Sequence, residues 1–224
     1  FDKQLNADSF YGSVMEVLKE RGTFSKTPDG RKTIYTPNDN TLIINILVDH
    51  AGLLYPQKGR TKKEEIDLCS AYCVRFREVC GVSIDFLMQE NRNAGSVDRR
   101  KMELSESTAE DIKESGNAFN DCNICIAVYY PLKYQLRSYR GYRVLDDSGE
   151  CLGSAIRGII LLKNRFGSAN KVFCTGFQGS IGRFIELPSP DQIDYSIYQS
   201  WKDDNTKDET KTDSKINSPL IFKF

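Results

Sequence analysis

The chain has 224 residues, of which 39% are hydrophobic and 28% are charged. These fractions are ordinary for globular proteins, and they exclude the collagen-like, fibrous and wholly disordered classes. The 31 basic and 31 acidic side chains cancel, so a globally basic nucleic-acid binder is not indicated, although local basic patches are compatible with this balance.

The amino-terminal part is predicted to contain a helix, a hairpin and a strand. Apolar residues at helical spacing follow Asp8 and Ser9, the two candidate caps, and Gly22 is expected to end this helix in a left-handed conformation. A turn sequence at 28–30 predicts a small hairpin. Residues 42–49, nearly all apolar and rich in β-branched side chains, predict a strand covered on both faces, as in parallel sheets.

A strand–helix–strand unit is predicted next. Thr61 and Glu64 form the pattern of a capping box, an apolar helix face follows, and Gly81 is placed to end the helix. The apolar stretch 82–88 then predicts a second strand. Two strands joined by one helix indicate parallel pairing, and therefore an α/β fold.

The second half contains one short helix and further strands. Ser107 and Glu110 are predicted to cap the short helix. Strands are predicted at 122–130, at 156–162 and 172–177 as the two arms of a hairpin, and at 184–187. We expect one domain over residues 1–200, with a charged, disordered tail over 201–224.

Composition also bears on compartment and processing. The seven cysteines lie mostly in apolar segments, which indicates buried thiols and a reducing compartment. The longest apolar run, of about eight residues, is too short to span a membrane. We therefore expect a cytoplasmic protein with no membrane partner. Because the chain begins at Phe1 rather than at methionine, we also expect a fragment or a processed product.

Two polar side chains follow the two predicted parallel strands. Asp49 directly follows the first, and ligands bind beyond the carboxyl ends of such strands, where an aspartate can hold Mg²⁺ beside nucleotide phosphates. Gln89 follows the second, and its amide can both donate and accept at a γ-phosphate or an attacking water. A turn or cap at Asp49 and a solvated strand end at Gln89 are the alternative interpretations.

Cations are concentrated at three places in the second half. Arg99, Arg100 and Lys101 are adjacent in a polar loop, a pattern that suits backbone phosphates but also fits a solvated loop. Lys163 and Arg165 are two apart at a strand end and thus share a face, so they could reach a neighbouring subunit's nucleotide or simply end a hairpin.

A third group interleaves cations with aromatics, as single-strand binders do, although an exposed hairpin gives the same pattern. Its members are Lys133, Tyr134, Arg137, Tyr139, Arg140, Tyr142 and Arg143.

Four segments, taken in order, resemble the RecA-like ATPase domain of DnaB-type replicative helicases over residues 42–187. They are LIINILVDHAGLL, FLMQENRN, STAEDIKESGNAFNDCNICIAVYY and RGIILLKNRFGSANKVFCTGFQGSIGRFIEL. In the family these are the Walker B strand, the glutamine sensor strand, the DNA-binding loop with its R-E-S-G element, and the K-x-R hairpin. The resemblance implies a mostly parallel, twisted RecA-like sheet flanked by helices, with a carboxy-terminal β-hairpin.

The resemblance also implies functional roles for matching residues. Asp49 would hold the Mg²⁺ shell of ATP, Gln89 would couple the γ-phosphate to the DNA loop, and Lys163 and Arg165 would act on the adjacent subunit's nucleotide. Residues implied at single-stranded DNA are Lys113, Glu114 and Gly116, with Arg99, Arg100 and Lys101 in the same loop. A hexameric ring of phage or bacterial type follows, with primase or other replisome proteins as partners.

Departures from the family pattern limit these implications. The sequence contains no G-x-x-x-x-G-K-[ST] P-loop, and the family's catalytic glutamate has no counterpart, so the core is incomplete and the chain alone is not expected to hydrolyse ATP. His50 replaces the aromatic residue after the Walker B aspartate. Two other functions stay open: another RecA-like ATPase, such as a recombinase or KaiC-like protein, and a catalytically inactive DNA-binding module.

Overall fold

A computed structural model describes residues 5–91, 99, 106–112, 116–149, 153–198 and 201. The chain divides into two compact units. The first comprises Phe1–Asn91 and Thr108–Cys122, and the second comprises Arg92–Ser107 and Asn123–Phe224. The predicted tail lies outside the described residues from 202 onward. Within the described part, no helix is long and apolar enough to cross a membrane.

The first helix, α1 (Ala7–Arg21), begins earlier than predicted. Asn6 is its cap: the Asn6 side chain accepts a hydrogen bond from the Ser9 backbone N–H at 2.8 Å, and the Ser9 hydroxyl accepts one from the Asn6 N–H at 2.9 Å. The prediction of Asp8 or Ser9 as the cap was therefore wrong. Ser9 is the reciprocal partner three residues into the capping box.

Gly22 does not adopt the predicted left-handed conformation. Its φ of −177° is extended, and it opens β1 (Gly22–Lys26), which pairs antiparallel with β2 (Thr33–Pro37) as the predicted hairpin. A Cβ at Gly22 would lie 2.5 Å from Cζ of Tyr35. Glycine is needed here because an aromatic ring packs against the backbone, not because φ is positive.

The strand–helix–strand unit is confirmed. Strands β3 (Asn45–Val48) and β4 (Ser83–Phe86) pair in parallel, and α2 (Lys62–Cys80) connects them. Thr61 and Glu64 form the capping box, with a hydrogen bond of 2.7 Å from the Thr61 N–H to the Glu64 carboxylate. Gly81 ends the helix in the left-handed region at φ 67°, as predicted.

Only one face of β3 is buried, so the expectation of two covered faces was wrong. Ile46 and Val48 belong to the core around α1 and α2. Leu47 points the opposite way and is 61% exposed, and Ile43, just before the strand, is 84% exposed. Alternation along the strand thus leaves an apolar face in contact with solvent.

Aromatic packing joins α1 to α2. The Phe76 ring meets the Phe10 ring edge-on at 6.3 Å and stacks on the Tyr11 ring at 5.1 Å. Phe76 is 2% exposed, and Leu18 and Cys69 are fully buried in the same core. Free Cys69 confirms that a cysteine of this apolar helix face is a core thiol.

A buried ionic network ties the start of α1 to the start of α2. Glu65, which is fully buried, accepts a hydrogen bond from the Ala7 N–H at 2.6 Å and lies 3.5 Å from the Arg60 guanidinium. Arg60 also contacts the Asp8 carboxylate at 3.0 Å, and the Tyr72 hydroxyl donates to Asp8 at 2.9 Å. Two acidic residues therefore share one guanidinium at the helix junction.

This network predicts a specific acid sensitivity. The Tyr72 hydrogen bond, together with Arg60, lowers the pKa of Asp8 from its ordinary value. A depressed folded-state pKa stabilises the fold above the unfolded-state pKa of about 3.9, and that contribution is lost as the pH falls through the folded-state value. Urea midpoints at pH 6 and pH 3 should therefore fall less in Asp8→Asn than in the wild type. Glu16→Gln, which removes an exposed carboxylate of α1, is the control and should fall as the wild type does.

The second unit begins with β5 (Ile124–Tyr129) and a short hairpin of β6 (Ser138–Tyr139) and β7 (Tyr142–Arg143). Arg140 and Gly141 form its two-residue turn, with φ values of 51° and 88°. Positive φ at both central positions is the backbone of a type I′ turn.

The other strands of this unit form an antiparallel sheet. They are β8 (Ile156–Asn164), β9 (Lys171–Gln178) and β10 (Arg183–Glu186), in the order β10-β9-β8-β5. The predicted hairpin is β8–β9, and the predicted last strand is β10. The expected mostly parallel sheet is corrected, because among the described strands only β3 and β4 pair in parallel.

Candidate functional site

The candidate site is built at the carboxyl end of the parallel pair. Val48 lies opposite Phe86 in the register, so the residues that follow β3 and β4 emerge at one edge. The Leu87 N–H donates to the Val48 carbonyl at 3.0 Å, and the Ala51 N–H donates to the Leu87 carbonyl at 2.9 Å. Asp49 and Gln89, both exposed, are thereby held on adjacent chain segments at this edge.

His50 connects these two segments. Its Nδ1 accepts a hydrogen bond from the Gly52 N–H at 3.0 Å, and its Nε2 lies 3.3 Å from the Gln89 side-chain amide. A neutral imidazole that accepts at Nδ1 carries its proton on Nε2, so both contacts are satisfied when Gln89 turns its amide oxygen to the ring. His50 was not predicted as a site residue; its place directly after Asp49 was the available signal.

The segment after Gln89 is hydrogen bonded to the segment that leads to the predicted DNA element. Glu90 and Ile112 form an antiparallel bridge. The Asn91 N–H donates to the Asp111 carbonyl at 2.7 Å, and the Asn91 side chain donates to the Glu110 carbonyl at 3.1 Å. Because Ile112 directly precedes Lys113, the strand end that carries Gln89 is joined by main-chain contacts to the entry of the K-E-S-G element.

The helix predicted before this element is a single 3₁₀ turn, Ala109–Asp111, and its cap was predicted one residue too early. Thr108 is the cap, and its N–H and hydroxyl both donate to the Asp111 carboxylate at 2.8 Å. Gly116 begins α3 (Gly116–Asp121) and is exposed. Lys113 and Glu114 lie outside the described residues.

The loop cations are described in part. Arg99 donates from its guanidinium to the Glu106 carbonyl at 2.7 Å and is half-buried. Arg100 and Lys101 lie outside the described residues. Arg99 belongs to the second unit, whereas the bridge at Ile112 belongs to the first.

Lys163 and Arg165 also lie in the second unit. Lys163 is near the end of β8, opposite Cys125 of β5. Arg165 follows the strand in the exposed turn, and its N–H donates to the Asn123 carbonyl at 2.9 Å. The two cations are thus at the tip of the β8–β9 hairpin, as the sequence predicted.

The donor set at the sheet edge fits a magnesium ion only in company with other ligands. Among the described residues, no three His, Cys, Asp or Glu side chains cluster in a way that could hold a metal. Asp49 offers one exposed carboxylate, and Mg²⁺ commonly takes one or two protein carboxylates with water and substrate phosphates. Asp49 is therefore suited to Mg²⁺ that arrives with a nucleotide.

Comparison with known proteins agrees with this geometry. No protein-family model and no curated protein matches the chain. Among solved structures, a DnaB-like replicative helicase studied with its interactions with primase superposes with a TM-score of 0.58 and 17% identity over 84% of this chain. A second structure, of the ATPase domain of another protein, superposes with a TM-score of 0.57 and 16% identity over 82% of this chain.

The fold is thus that of a helicase ATPase domain. More particularly, it is the fold of the DnaB-type replicative helicases, as the sequence resemblance predicted. The chain spans 37% and 52% of the lengths of these two structures.

Proposed function

We propose that this chain is part of an ATP-dependent replicative DNA helicase that translocates on single-stranded DNA and unwinds duplex DNA. One observation carries the proposal. The strand end bearing Gln89, beside Asp49, continues into the bridge between Glu90 and Ile112, one residue before the K-E-S-G element. A nucleotide sensor and a DNA-contacting element are thereby parts of one hydrogen-bonded segment.

This arrangement supports a coupling mechanism. Asp49 would hold the Mg²⁺ of a bound nucleotide, and the Gln89 amide would form a hydrogen bond with the γ-phosphate or the attacking water. Loss of the γ-phosphate would release Gln89, and the main-chain bridge would transmit the shift to Lys113 and Gly116 at the DNA backbone. His50 would set the resting orientation of the Gln89 amide.

Other parts of the proposed enzyme lie on other subunits or outside these 224 residues. The hairpin-tip cations Lys163 and Arg165 would contact the nucleotide of a neighbouring subunit, which implies a ring, in our proposal a hexamer. The sequence has no P-loop motif, so this chain by itself is not expected to hydrolyse ATP. Primase or another replisome protein is the proposed partner, and the cytoplasm is the proposed compartment.

Single-stranded DNA binding tests the proposal. Anisotropy of a labelled oligothymidylate should rise with protein, and log K should fall linearly with log salt, by about 0.7 for each phosphate contacted. In the triple variant Arg100→Ala, Lys101→Ala, Lys113→Ala the slope should become shallower by up to about 2, because three phosphate contacts are removed.

A matched control removes three exposed cations of the same chain, Lys26, Arg31 and Lys32. These side chains lie at the β1–β2 hairpin, so their replacement by alanine should leave the salt slope as in the wild type. Binding that both triple variants weaken equally would contradict the proposed DNA loop, and so would the absence of salt-dependent binding.

The second candidate function is a catalytically inactive DNA-binding module, favoured by the missing P-loop motif. It predicts that MgATP leaves DNA affinity unchanged even when this chain is assembled with a P-loop-containing helicase subunit. The helicase proposal predicts a nucleotide-dependent affinity in that assembly.

A further inference from the structure

The tip of the β6–β7 hairpin forms a two-point contact with the loop before it. Arg140 donates from Nε to one Glu106 carboxylate oxygen at 3.0 Å and from Nη2 to the other at 2.7 Å. Arg99 donates to the Glu106 carbonyl at 2.7 Å. Two guanidinium groups from separate segments of the second unit therefore converge on one acidic residue.

Stability alone is a weak reason for this arrangement. The side chains of Arg140 and Glu106 are 52% and 30% exposed, and ion pairs with such access to water contribute little to folding. Arg140 also occupies a positive-φ turn position, where asparagine, aspartate or glycine is preferred. The turn therefore presents a guanidinium at some conformational cost.

Two buried hydroxyl groups flank the pair in the chain. Tyr139, next to Arg140, and Ser107, next to Glu106, are each 5% exposed, and among the described residues neither hydroxyl has a hydrogen-bond partner within 3.5 Å. Burial, together with the negative charge of Glu106, raises the pKa of Tyr139, so its hydroxyl keeps its proton and stays a donor. Buried hydroxyls without partners are rare in proteins, and beside an anion they are candidate ligands for it.

A planar guanidinium binds carboxylate and phosphate with the same two-point geometry. We propose that Arg140 and Arg99 form a binding site for a phosphodiester of single-stranded DNA, and that the Glu106 carboxylate occupies it until DNA displaces it. This inference rests on the proposed function. It adds a site on the β6–β7 hairpin and an internal competitor that weakens DNA binding.

The surroundings favour backbone contact over base stacking. The interleaved tyrosines of this region are turned into the fold: Tyr139 and Tyr142 are buried, and the Tyr134 ring stacks on Tyr129 at 5.2 Å. The interpretation of these rings as stacking platforms for bases is therefore corrected. The cations between them, Lys133, Arg137, Arg140 and Arg143, are exposed. Such a surface recognises phosphates without regard to base sequence.

Neutralising Glu106 tests the site. Glu106→Gln keeps the side-chain shape and should bind labelled oligothymidylate about two- to fivefold more tightly than the wild type, the range expected for loss of one exposed ion pair. Its salt slope should steepen by about 0.7, for one added phosphate contact. Glu186→Gln, which removes an exposed carboxylate on β10, is the charge-matched control and should show neither effect.

The double variant Glu106→Gln, Arg140→Ala should lose the gain. If Glu106→Gln binds no more tightly than Glu186→Gln, or if the double variant keeps the gain, then Glu106 and Arg140 form a structural ion pair only. When that result accompanies wild-type binding that depends on Arg100, Lys101 and Lys113, the inference fails and the proposed function stands. If no variant binds DNA, both fail.

A chemical readout separates DNA from free phosphate. Phenylglyoxal should modify Arg140 faster in Glu106→Gln than in the wild type, as measured by mass spectrometry of peptides, and oligothymidylate should protect it. Equal protection by sodium phosphate at matched ionic strength would overturn the assignment to DNA. Circular dichroism spectra that match the wild type would establish that each variant is folded.

Discussion

Replacing Phe76 by alanine should lower the free energy of unfolding of the first unit by about 3–5 kcal/mol, the usual cost of deleting a buried aromatic ring. Phe76 is 2% exposed and contacts the Phe10 and Tyr11 rings, so its removal leaves a cavity between α1 and α2. Urea unfolding followed by circular dichroism at 222 nm measures the loss, because both long helices lie in this unit.

The matched control for Phe76→Ala is Ile43→Ala in the same unit. Ile43 is 84% exposed, so its truncation should change stability by less than about 0.5 kcal/mol. The chain's one tryptophan, Trp201, packs against Tyr198 in the second unit, so its fluorescence reports that unit separately. Equal losses in Phe76→Ala and Ile43→Ala would contradict the assignment of Phe76 to the core.

Replacing Glu65 by alanine should cost about 3 kcal/mol, because a buried donor loses its acceptor and a buried ion pair loses one member. The Glu65 carboxylate lies at the amino-terminal end of α1, where the Ala7 N–H and the positive end of the helix dipole meet it. Arg60 completes its neutralisation at 3.5 Å. This explains how a fully buried carboxylate is tolerated.

Glu65→Gln distinguishes hydrogen bonding from charge. The amide retains an acceptor for the Ala7 N–H but loses the attraction to Arg60, so the expected cost is smaller, about 1 kcal/mol. Chemical denaturation of both variants should be compared with Glu16→Ala, which removes an exposed carboxylate from α1 and should have little effect. A cost for Glu65→Ala no larger than that for Glu16→Ala would refute the network.

These two predictions bear on function through α2. This helix connects β3 to β4, and the ends of those strands carry Asp49 and Gln89. Packing of α1 on α2, by Phe76 on one side and by Glu65 at the junction, therefore supports the strand pair on which the candidate site is built. A variant that loosens this core should also loosen the contact between His50 and Gln89.

The sequence by itself determined the features that depend on local rules. The Thr61–Glu64 capping box and the left-handed Gly81 follow from a few neighbouring residues, and both were predicted correctly. The β8–β9 hairpin and the parallel β3–β4 pair follow from apolar periodicity and from the helix between the strands. The order of four motifs was enough to predict the DnaB-type fold.

Only the tertiary structure decided features that depend on residues distant in sequence. Gly22 is extended because the Tyr35 ring packs against it, and Glu65 is buried because its partner at Ala7 lies 58 residues away. The coupling of Gln89 to the K-E-S-G element likewise depends on a bridge between Glu90 and Ile112. Local propensity cannot predict such contacts, because each exists only once separate segments have packed together.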